Sequence, residues 1–136
     1  MGNQAVPRFV VIDDDSINNH ICVNAARIVL PGTDIRTFTD PQEGLDYILS
    51  TYSLPGMGET ILLLDINMPV LSGWDVLDRF TDFPEAIKKQ FTIYILSSSV
   101  ADMDRQKADD TQLVSGFIEK PLSVRQLQAM FPGAGE

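Results

Sequence analysis

Carboxylates, a hydroxyl group and a lysine each follow a short apolar run of the chain. Asp13 and Asp14 follow the first run, Asp65 the third, Ser97 the fourth and Lys120 the fifth. Carboxylates held close together repel one another, and a buried cluster of them is tolerated only where a cation or protons offset the charge. Oxygen ligands of this kind suit Mg²⁺ (or Mn²⁺), which takes one or two carboxylates with carbonyl and water oxygens. If the fold brings these side chains together, the sequence predicts a metal site beside a hydroxyl and a lysine.

A simpler interpretation of the first acidic run is helix capping. Carboxylates just before a helix accept its free N–H groups and interact favourably with its dipole, and Asp15 or Ser16 can cap a helix that begins there. Capping needs only one acid at one strand end, however, and it does not explain Asp65 and Lys120 at two others. We therefore assign capping to Asp15 and expect a shared site for the rest.

Five apolar runs with the character of β-strands alternate with segments that suit helices. The predicted strands cover residues 9–12, 34–38, 61–64, 92–96 and 116–118. Several are continuously apolar, which is typical of strands covered on both faces by helices. The alternation predicts an α/β fold with three layers, in which helices flank a doubly wound, five-stranded parallel sheet. Ligands bind outside the carboxyl ends of the strands in such sheets, where the polar residues above fall.

The helices are predicted from apolar residues that recur every three or four positions. The first is expected at about 16–30, with a core-facing stripe of Ile17, Ile21, Ala25 and Ile28. The second follows Pro41 and is expected to bury Leu45, Ile48, Leu49 and Tyr52. The third begins near Gly73, the fourth covers about 101–109 with a thin apolar stripe, and the fifth covers 124–131.

Length and composition describe one globular domain. The chain has 136 residues, 44% of them hydrophobic, and we expect a single domain over 1–136 with its core at about 8–131. Ten basic against nineteen acidic residues give a net charge of −9, which argues against direct nucleic-acid binding. No apolar run approaches the roughly 20 residues that span a bilayer, so we expect no membrane insertion. The single cysteine, Cys22, cannot form an internal disulfide, and the expected location is the reducing cytoplasm.

Four segments of the chain together resemble the receiver domain of two-component response regulators, the family that includes chemotaxis regulators. They are VIDDD at 11–15, LDINMP at 64–69 followed by Gly73, LSS at 96–98, and FIEKP at 117–121. Each segment alone is a weak signal, but all four occur in the family's order and at predicted strand ends. The resemblance covers about residues 8–131 and implies a flavodoxin-like fold with strand order 2-1-3-4-5.

The resemblance implies a phosphoacceptor and a metal site. Asp65 corresponds to the aspartate that a partner histidine phosphorylates. Asp14 and Asp65 would hold Mg²⁺ directly, Asp13 would act mostly through water, and the backbone carbonyl of Asn67 would be a further ligand. Phosphoryl transfer asks mainly for control of charge, which the metal and a nearby lysine would provide.

The resemblance also implies a switch. Ser97 would hydrogen-bond the new phosphoryl group, Lys120 would pair with its charge, and Phe117 would change rotamer with the phosphorylated state. Ser97 stands where threonine is frequent in the family, and Ser99, with Asn67, would flank the route of attacking water. The implied partners are a sensor histidine kinase or a histidine phosphotransfer protein, and a downstream protein target.

Three different functions could use a cluster of residues of this kind. The first is a signalling domain that is not an enzyme for another substrate, although it would catalyse its own phosphoryl uptake and loss. The second is a degenerate receiver that binds partners without phosphorylation. The third is a Mg²⁺-dependent phosphatase with an aspartyl nucleophile, similar to the haloacid dehalogenase-like family. That family usually has a second aspartate two residues after the nucleophile, where this chain has Asn67, and this difference favours the receiver.

Overall fold

The computed structural model describes residues 6–53, 58–98 and 113–131. This part of the chain forms a five-stranded sheet with the order β2-β1-β3-β4-β5, and all neighbouring strands are parallel. The strands are β1 (Arg8–Ile12), β2 (Ile35–Phe38), β3 (Thr60–Asp65), β4 (Phe91–Ser97) and β5 (Val114–Glu119). The predicted order 2-1-3-4-5 is confirmed, and all five predicted strands are present with ends that differ by one or two residues.

The register of the sheet brings the carboxyl ends of its strands to one edge. The last residue of β1 pairs with the fifth residue of β3, and Asp65, the last of β3, pairs with Leu96 of β4. Ser97, which follows Leu96, pairs with Glu119 of β5. The residues at or just after these strand ends therefore lie next to one another, as the sequence predicts.

The helices of the described residues are α1 (Ser16–Val29), α2 (Pro41–Thr51), α3 (Gly73–Thr81), the short α4 (Glu85–Lys88) and α5 (Val124–Met130). Four of them start at residues whose side chains accept backbone N–H groups, namely Asp15, Asp40, Ser72 and Ser123. These caps fix the helix starts, because the first turn of a helix has free N–H groups. Ser99 and the helix predicted at 101–109 lie outside the described residues. Within the described ranges, no helix has the length and apolar character that crossing a membrane requires.

The buried face of α1 differs from the predicted one. Ile17 and Ile28, which we expected to face the core, are 71% and 63% exposed. The helix instead buries a stripe that is offset by one position, made of Asn18, Asn19, Cys22, Ala25, Ala26 and Val29. The prediction for the two isoleucines is wrong because it counted apolar residues only, whereas this stripe begins with two asparagines that bond to Asp13.

The buried face of α2 is close to the predicted one, with one error. Leu45, Ile48 and Tyr52 are buried as expected, but Leu49 is 44% exposed. Leu49 directly follows Ile48 on the helix and so points about 100° away from the stripe that faces the sheet. Pro41 and Gly44 complete that stripe.

Helices cover both faces of the sheet, so the core has two layers. Leu62 and Leu64 of β3 belong to the cluster beneath α2, α3 and α4, while Ile61 and Leu63 belong to the cluster beneath α1 and α5. All six residues of β3 are buried. Asp65 thus ends a strand that is packed on both faces, which fixes its backbone firmly.

Candidate functional site

Three carboxylates meet at the carboxyl edge of the sheet. Asp13 and Asp14 directly follow β1, and Asp65 ends β3. One carboxylate oxygen from each lies within 4.8 Å of the others, and the group could hold a metal ion. Asp13 and Asp65 are almost fully buried, whereas Asp14 is exposed. The cluster therefore opens to solvent on the side of Asp14, and its all-oxygen ligands fit a hard cation such as Mg²⁺.

The carboxylate of Asp13 already has three donors. Its Oδ1 accepts the backbone N–H of Asp15 at 2.9 Å, and its Oδ2 accepts the side-chain amide of Asn18 at 2.8 Å. The ammonium group of Lys120 lies 2.8 Å from the same Oδ2. These contacts satisfy a charge that would otherwise be costly to bury, and they leave few lone pairs of Asp13 for a metal ion.

The polar contacts of the Asp65 carboxylate are longer than those of Asp13. Its Oδ1 accepts the backbone N–H of Asn67 at 3.2 Å and lies 3.4 Å from the Lys120 ammonium group. Burial, and next the charge of Asp13, raise the pKa of Asp65 above the usual value, although Asn67 and Lys120 act in the opposite direction. The Asp65 carboxylate therefore holds a proton more readily than an ordinary aspartate, and the site favours added positive charge.

Lys120 bridges the two buried carboxylates. Its side chain is 15% exposed, and burial acts to lower its pKa, but hydrogen bonds and charge interactions with Asp13 and Asp65 outweigh burial and raise it. Lys120 is therefore a permanent cation at neutral pH. Its backbone N–H donates to the carbonyl of Ser97 at 2.8 Å, which ties the end of β5 to the end of β4. The Lys120–Pro121 peptide bond is cis.

Two of the remaining predicted site residues, Ser97 and Asn67, lie at the same edge of the sheet, and Phe117 lies within the neighbouring strand β5. Ser97 is fully buried at the end of β4, and Asn67 is exposed two residues after Asp65. Phe117 is half-buried in β5 and packs against the cluster beneath α2, α3 and α4. It pairs with Ile95 because β5 holds one extra residue, Ser115, where the register with β4 shifts. Without this bulge the Phe117 side chain would point to the opposite face of the sheet.

Gly73 allows α3 to approach the backbone of Asp65. A Cβ atom at position 73 would lie 2.5 Å from the Asp65 carbonyl oxygen and 2.7 Å from the Cα of Ile66, which are impossible distances for a real side chain. The Gly73 N–H donates to the Ile66 carbonyl at 3.3 Å. Gly73 begins α3 as predicted, and it also holds in place the segment that carries Asp65 and Asn67.

Sequence reasoning missed two residues that contact the acidic cluster. Asn18 and Asn19 are 4% and 5% exposed. Asn18 donates to the Asp13 carboxylate, and the Asn19 amide donates to the Asp13 backbone carbonyl at 3.0 Å. The available signal was their spacing, because Asn18 lies four residues before Cys22 and seven before Ala25, in phase with the buried stripe of α1.

Comparison with known proteins agrees with the geometry. The family model described as the response regulator receiver domain matches residues 9–131. The match covers nearly the whole chain. The chain therefore belongs to the response regulator receiver domain family. The sequence has no match among curated proteins.

Solved structures with the same fold include several bacterial regulators. A two-component response regulator from Cytophaga hutchinsonii is 26% identical, with a TM-score of 0.84 over 95% of this chain and 96% of that one. A response regulator receiver protein from Dyadobacter fermentans is 22% identical, with a TM-score of 0.82 over 91% and 94%. The chemotaxis protein CheY4 from Vibrio cholerae is 20% identical, with a TM-score of 0.67 over 94% and 98%. The last two support the fold alone.

Proposed function

We propose that this chain is a phosphoacceptor receiver domain, in which Asp65 takes a phosphoryl group from a histidine of a sensor kinase or phosphotransfer protein. The observation that carries the proposal is the pair of buried carboxylates, Asp13 and Asp65, bridged by Lys120 beside the exposed Asp14. A structural ion pair needs one carboxylate and one cation. That pair does not require a third carboxylate open to solvent, whereas such a carboxylate suits a metal that enters from solvent with its waters.

In the proposed reaction an oxygen of Asp65 attacks the phosphorus of the phosphohistidine. The new P–O bond forms as the P–N bond breaks, and the electron pair of that bond stays on the donor imidazole nitrogen. Asp14, Asp65 and the backbone carbonyl of Asn67 would hold Mg²⁺, with Asp13 acting through water because its oxygens already have donors. The ion would supply positive charge for the equatorial phosphoryl oxygens.

Two residues would then stabilise the phosphorylated form. A phosphoryl group adds about −1.5 to −2 charges at neutral pH. Lys120, already 3.4 Å from Asp65, would pair with that charge, and the hydroxyl of Ser97 would donate to a phosphoryl oxygen. Movement of Ser97 toward the phosphoryl group would give Phe117, on the neighbouring strand, room to turn inward. The altered surface near β5 would carry the signal to a protein target, or the phosphoryl group would be relayed to another histidine.

The lone, buried Cys22 supports the cytoplasm as the proposed location, because a reducing compartment suits a chain with one free thiol. The net charge of −9 favours protein partners over nucleic acid as the receiver of the signal.

The test is intact-mass measurement after incubation with acetyl phosphate and Mg²⁺. We expect the mass of one phosphoryl group to be added, and Asp65→Asn to prevent it. Asp78→Asn, the same change at an exposed position of α3, is the matched control and should behave like the wild type.

The other outcomes identify the competing functions. Release of phosphate from acetyl phosphate by the wild type, with no accumulated mass and with loss of release in Asp65→Asn, would indicate a phosphatase. No uptake and no release, with the fold intact, would indicate a degenerate receiver. Uptake by Asp65→Asn at the wild-type rate would place the acceptor elsewhere and overturn the proposal.

A further inference from the structure

Asn18 is a buried polar side chain to which the phosphoryl chemistry above assigns no task. It is 4% exposed and lies on the buried face of α1, which also holds Asn19 and the small or apolar residues Cys22, Ala25, Ala26 and Val29. Its amide nitrogen donates to Asp13 Oδ2 at 2.8 Å and lies 3.8 Å from the sulfur of Cys22. Burying an amide is unfavourable unless it is hydrogen-bonded, so the bond to Asp13 is what makes asparagine suitable here.

Capping does not account for Asn18. The N-cap of α1 is Asp15, whose carboxylate accepts the backbone N–H groups of Ile17 and Asn18. The Asn18 side chain points the other way, into the site, and bonds to an oxygen that Lys120 also contacts. Asn18 and Lys120 therefore share one buried oxygen, which would keep the Asn18 amide as a donor if Lys120 moved away.

We propose that Asn18 is a positioning residue that holds the Asp13 carboxylate in place when Lys120 turns toward a phosphoryl group on Asp65. This inference rests on the proposed function. Lys120 lies 2.8 Å from Asp13 and 3.4 Å from Asp65 in this structure. A phosphoryl group on Asp65 would add about −1.5 to −2 charges on the side that is now the weaker contact, which draws the ammonium group away from Asp13.

The departure of Lys120 leaves a fully buried carboxylate without its cation. Asp13 keeps two neutral donors, the Asp15 N–H on Oδ1 and the Asn18 amide on Oδ2. A neutral donor suits this task, because it stabilises the carboxylate without cancelling the negative charge that attracts a metal ion. A lysine or arginine in place of Asn18 would compete with the metal for Asp13.

The loss of the Asn18 amide should affect the affinity for a phosphoryl mimic more than the affinity for Mg²⁺ alone. Removing the Asn18 amide should weaken binding of the phosphoryl mimic beryllofluoride, which requires Lys120 to move, by about tenfold, the worth of one hydrogen bond to a charged group. Binding of Mg²⁺ alone, with Lys120 still on Asp13, should change less than about twofold, because the cation still compensates Asp13.

The experiment titrates Mg²⁺ alone, and then beryllofluoride at saturating Mg²⁺, into the full chain, with the fluorescence of the single tryptophan, Trp74, as the signal. The variants are Asn18→Leu, which keeps the branched shape of the side chain but has no polar atom, and Asn18→Ala, which removes the amide group altogether. Asn24→Ala, at an exposed position of the same helix, is the matched control. Melting temperatures of all variants are measured without ligand.

We expect both Asn18 variants to lose beryllofluoride affinity to a similar extent, whatever their melting temperatures, and to keep Mg²⁺ affinity. If Asn18→Leu does not fold, Asn18→Ala alone carries the comparison with Asn24→Ala. A defect that follows the melting temperature, or that weakens Mg²⁺ to the same degree, would mean a merely structural role and would overturn the inference. Wild-type affinity in the variants would also overturn it. A wild type that binds Mg²⁺ but no beryllofluoride would overturn the proposed function itself.

Discussion

Replacing Asp65 with asparagine should stabilise the fold when no metal is present. The substitution keeps the shape of the side chain and removes one of three crowded negative charges. Burial and the charge of Asp13 raise the pKa of Asp65, so the ionised form is less favourable in the folded state than in the unfolded one. An asparagine avoids that cost.

The size of the effect follows from the distances. With an effective dielectric constant of about 20, two like charges at 4.8 Å, the upper limit of the spacing here, repel by about 3.5 kcal/mol. Lys120 at 3.4 Å attracts Asp65 by about 5 kcal/mol on the same scale. Asp13 and Asp14 both repel Asp65, but Asp14 is exposed and solvent screens much of its share. At full strength the two repulsions exceed the attraction by about 2 kcal/mol; screening of Asp14 lowers this balance and burial of Asp65 raises it, so we expect Asp65→Asn to raise the free energy of unfolding by about 1 to 2 kcal/mol.

The assay is urea denaturation in a chelator, at neutral pH and in acid, with Asp78→Asn as control. Because the folded-state pKa of Asp65 is raised, the contribution of this one group to stability is fully present below its ordinary pKa and is lost as the pH rises through the folded-state pKa. Asp65→Asn does not titrate there. The stability difference should therefore be largest at neutral pH, shrink in acid, and narrow again when Mg²⁺ is added to the wild type.

A variant that is less stable than the wild type at neutral pH would refute this reasoning. It would mean that the attraction between Lys120 and Asp65 outweighs burial and the two neighbouring carboxylates. A gain in stability of the same size in Asp78→Asn would also refute it, since the effect would then come from net charge and not from the site.

Further outcomes follow from the same geometry. Asp14→Ala should abolish the rise in melting temperature that Mg²⁺ produces in the wild type, whereas an equal rise in both would contradict the metal site. Gly73→Ala should lower phosphoryl uptake, because its Cβ would displace the Asp65 carbonyl. Gly116→Ala, whose Cβ would meet the Tyr94 ring and not the Asp65 backbone, should keep normal uptake. Ser97→Ala should still accept a phosphoryl group but lose the change in amide exchange across 114–119 that beryllofluoride causes in the wild type. An unchanged response would exclude Ser97 from the switch.

The main features of the fold and the acidic cluster could be predicted because they depend on local patterns. Continuous apolar runs identify buried parallel strands, and parallel strands place their carboxyl ends at one edge. Asp13, Asp65 and Lys120 follow from that rule alone. Apolar periodicity also predicted the positions of α3 and α5, and Leu77 and Leu127 of these helices lie in the core.

The features that could not be predicted depend on contacts between distant parts of the chain. Asparagine is usually exposed in helices, so its burial at position 18 depends on a carboxylate that the helix itself does not contain. Burial of Asn18 also explains why Ile17, the residue before it on the helix, is exposed and not buried as predicted. The bulge at Ser115 likewise follows from how β5 pairs with β4, and it decides which core Phe117 joins.

Because Cys22 is buried next to the acidic cluster, the rate at which its thiol is alkylated can report on that site. Burial and the charge of Asp13 raise the pKa of this thiol to about 12, so thiolate is scarce and alkylating reagents must wait for α1 to lift from the sheet. The chain has one cysteine, so every adduct reports on that opening. Because Asn18 contacts both the Cys22 sulfur and the Asp13 carboxylate, a ligand that tightens Asp13 should lengthen the labelling half-time. The alkylation rate of Cys22 would thus measure how much of the acidic cluster is occupied by a ligand.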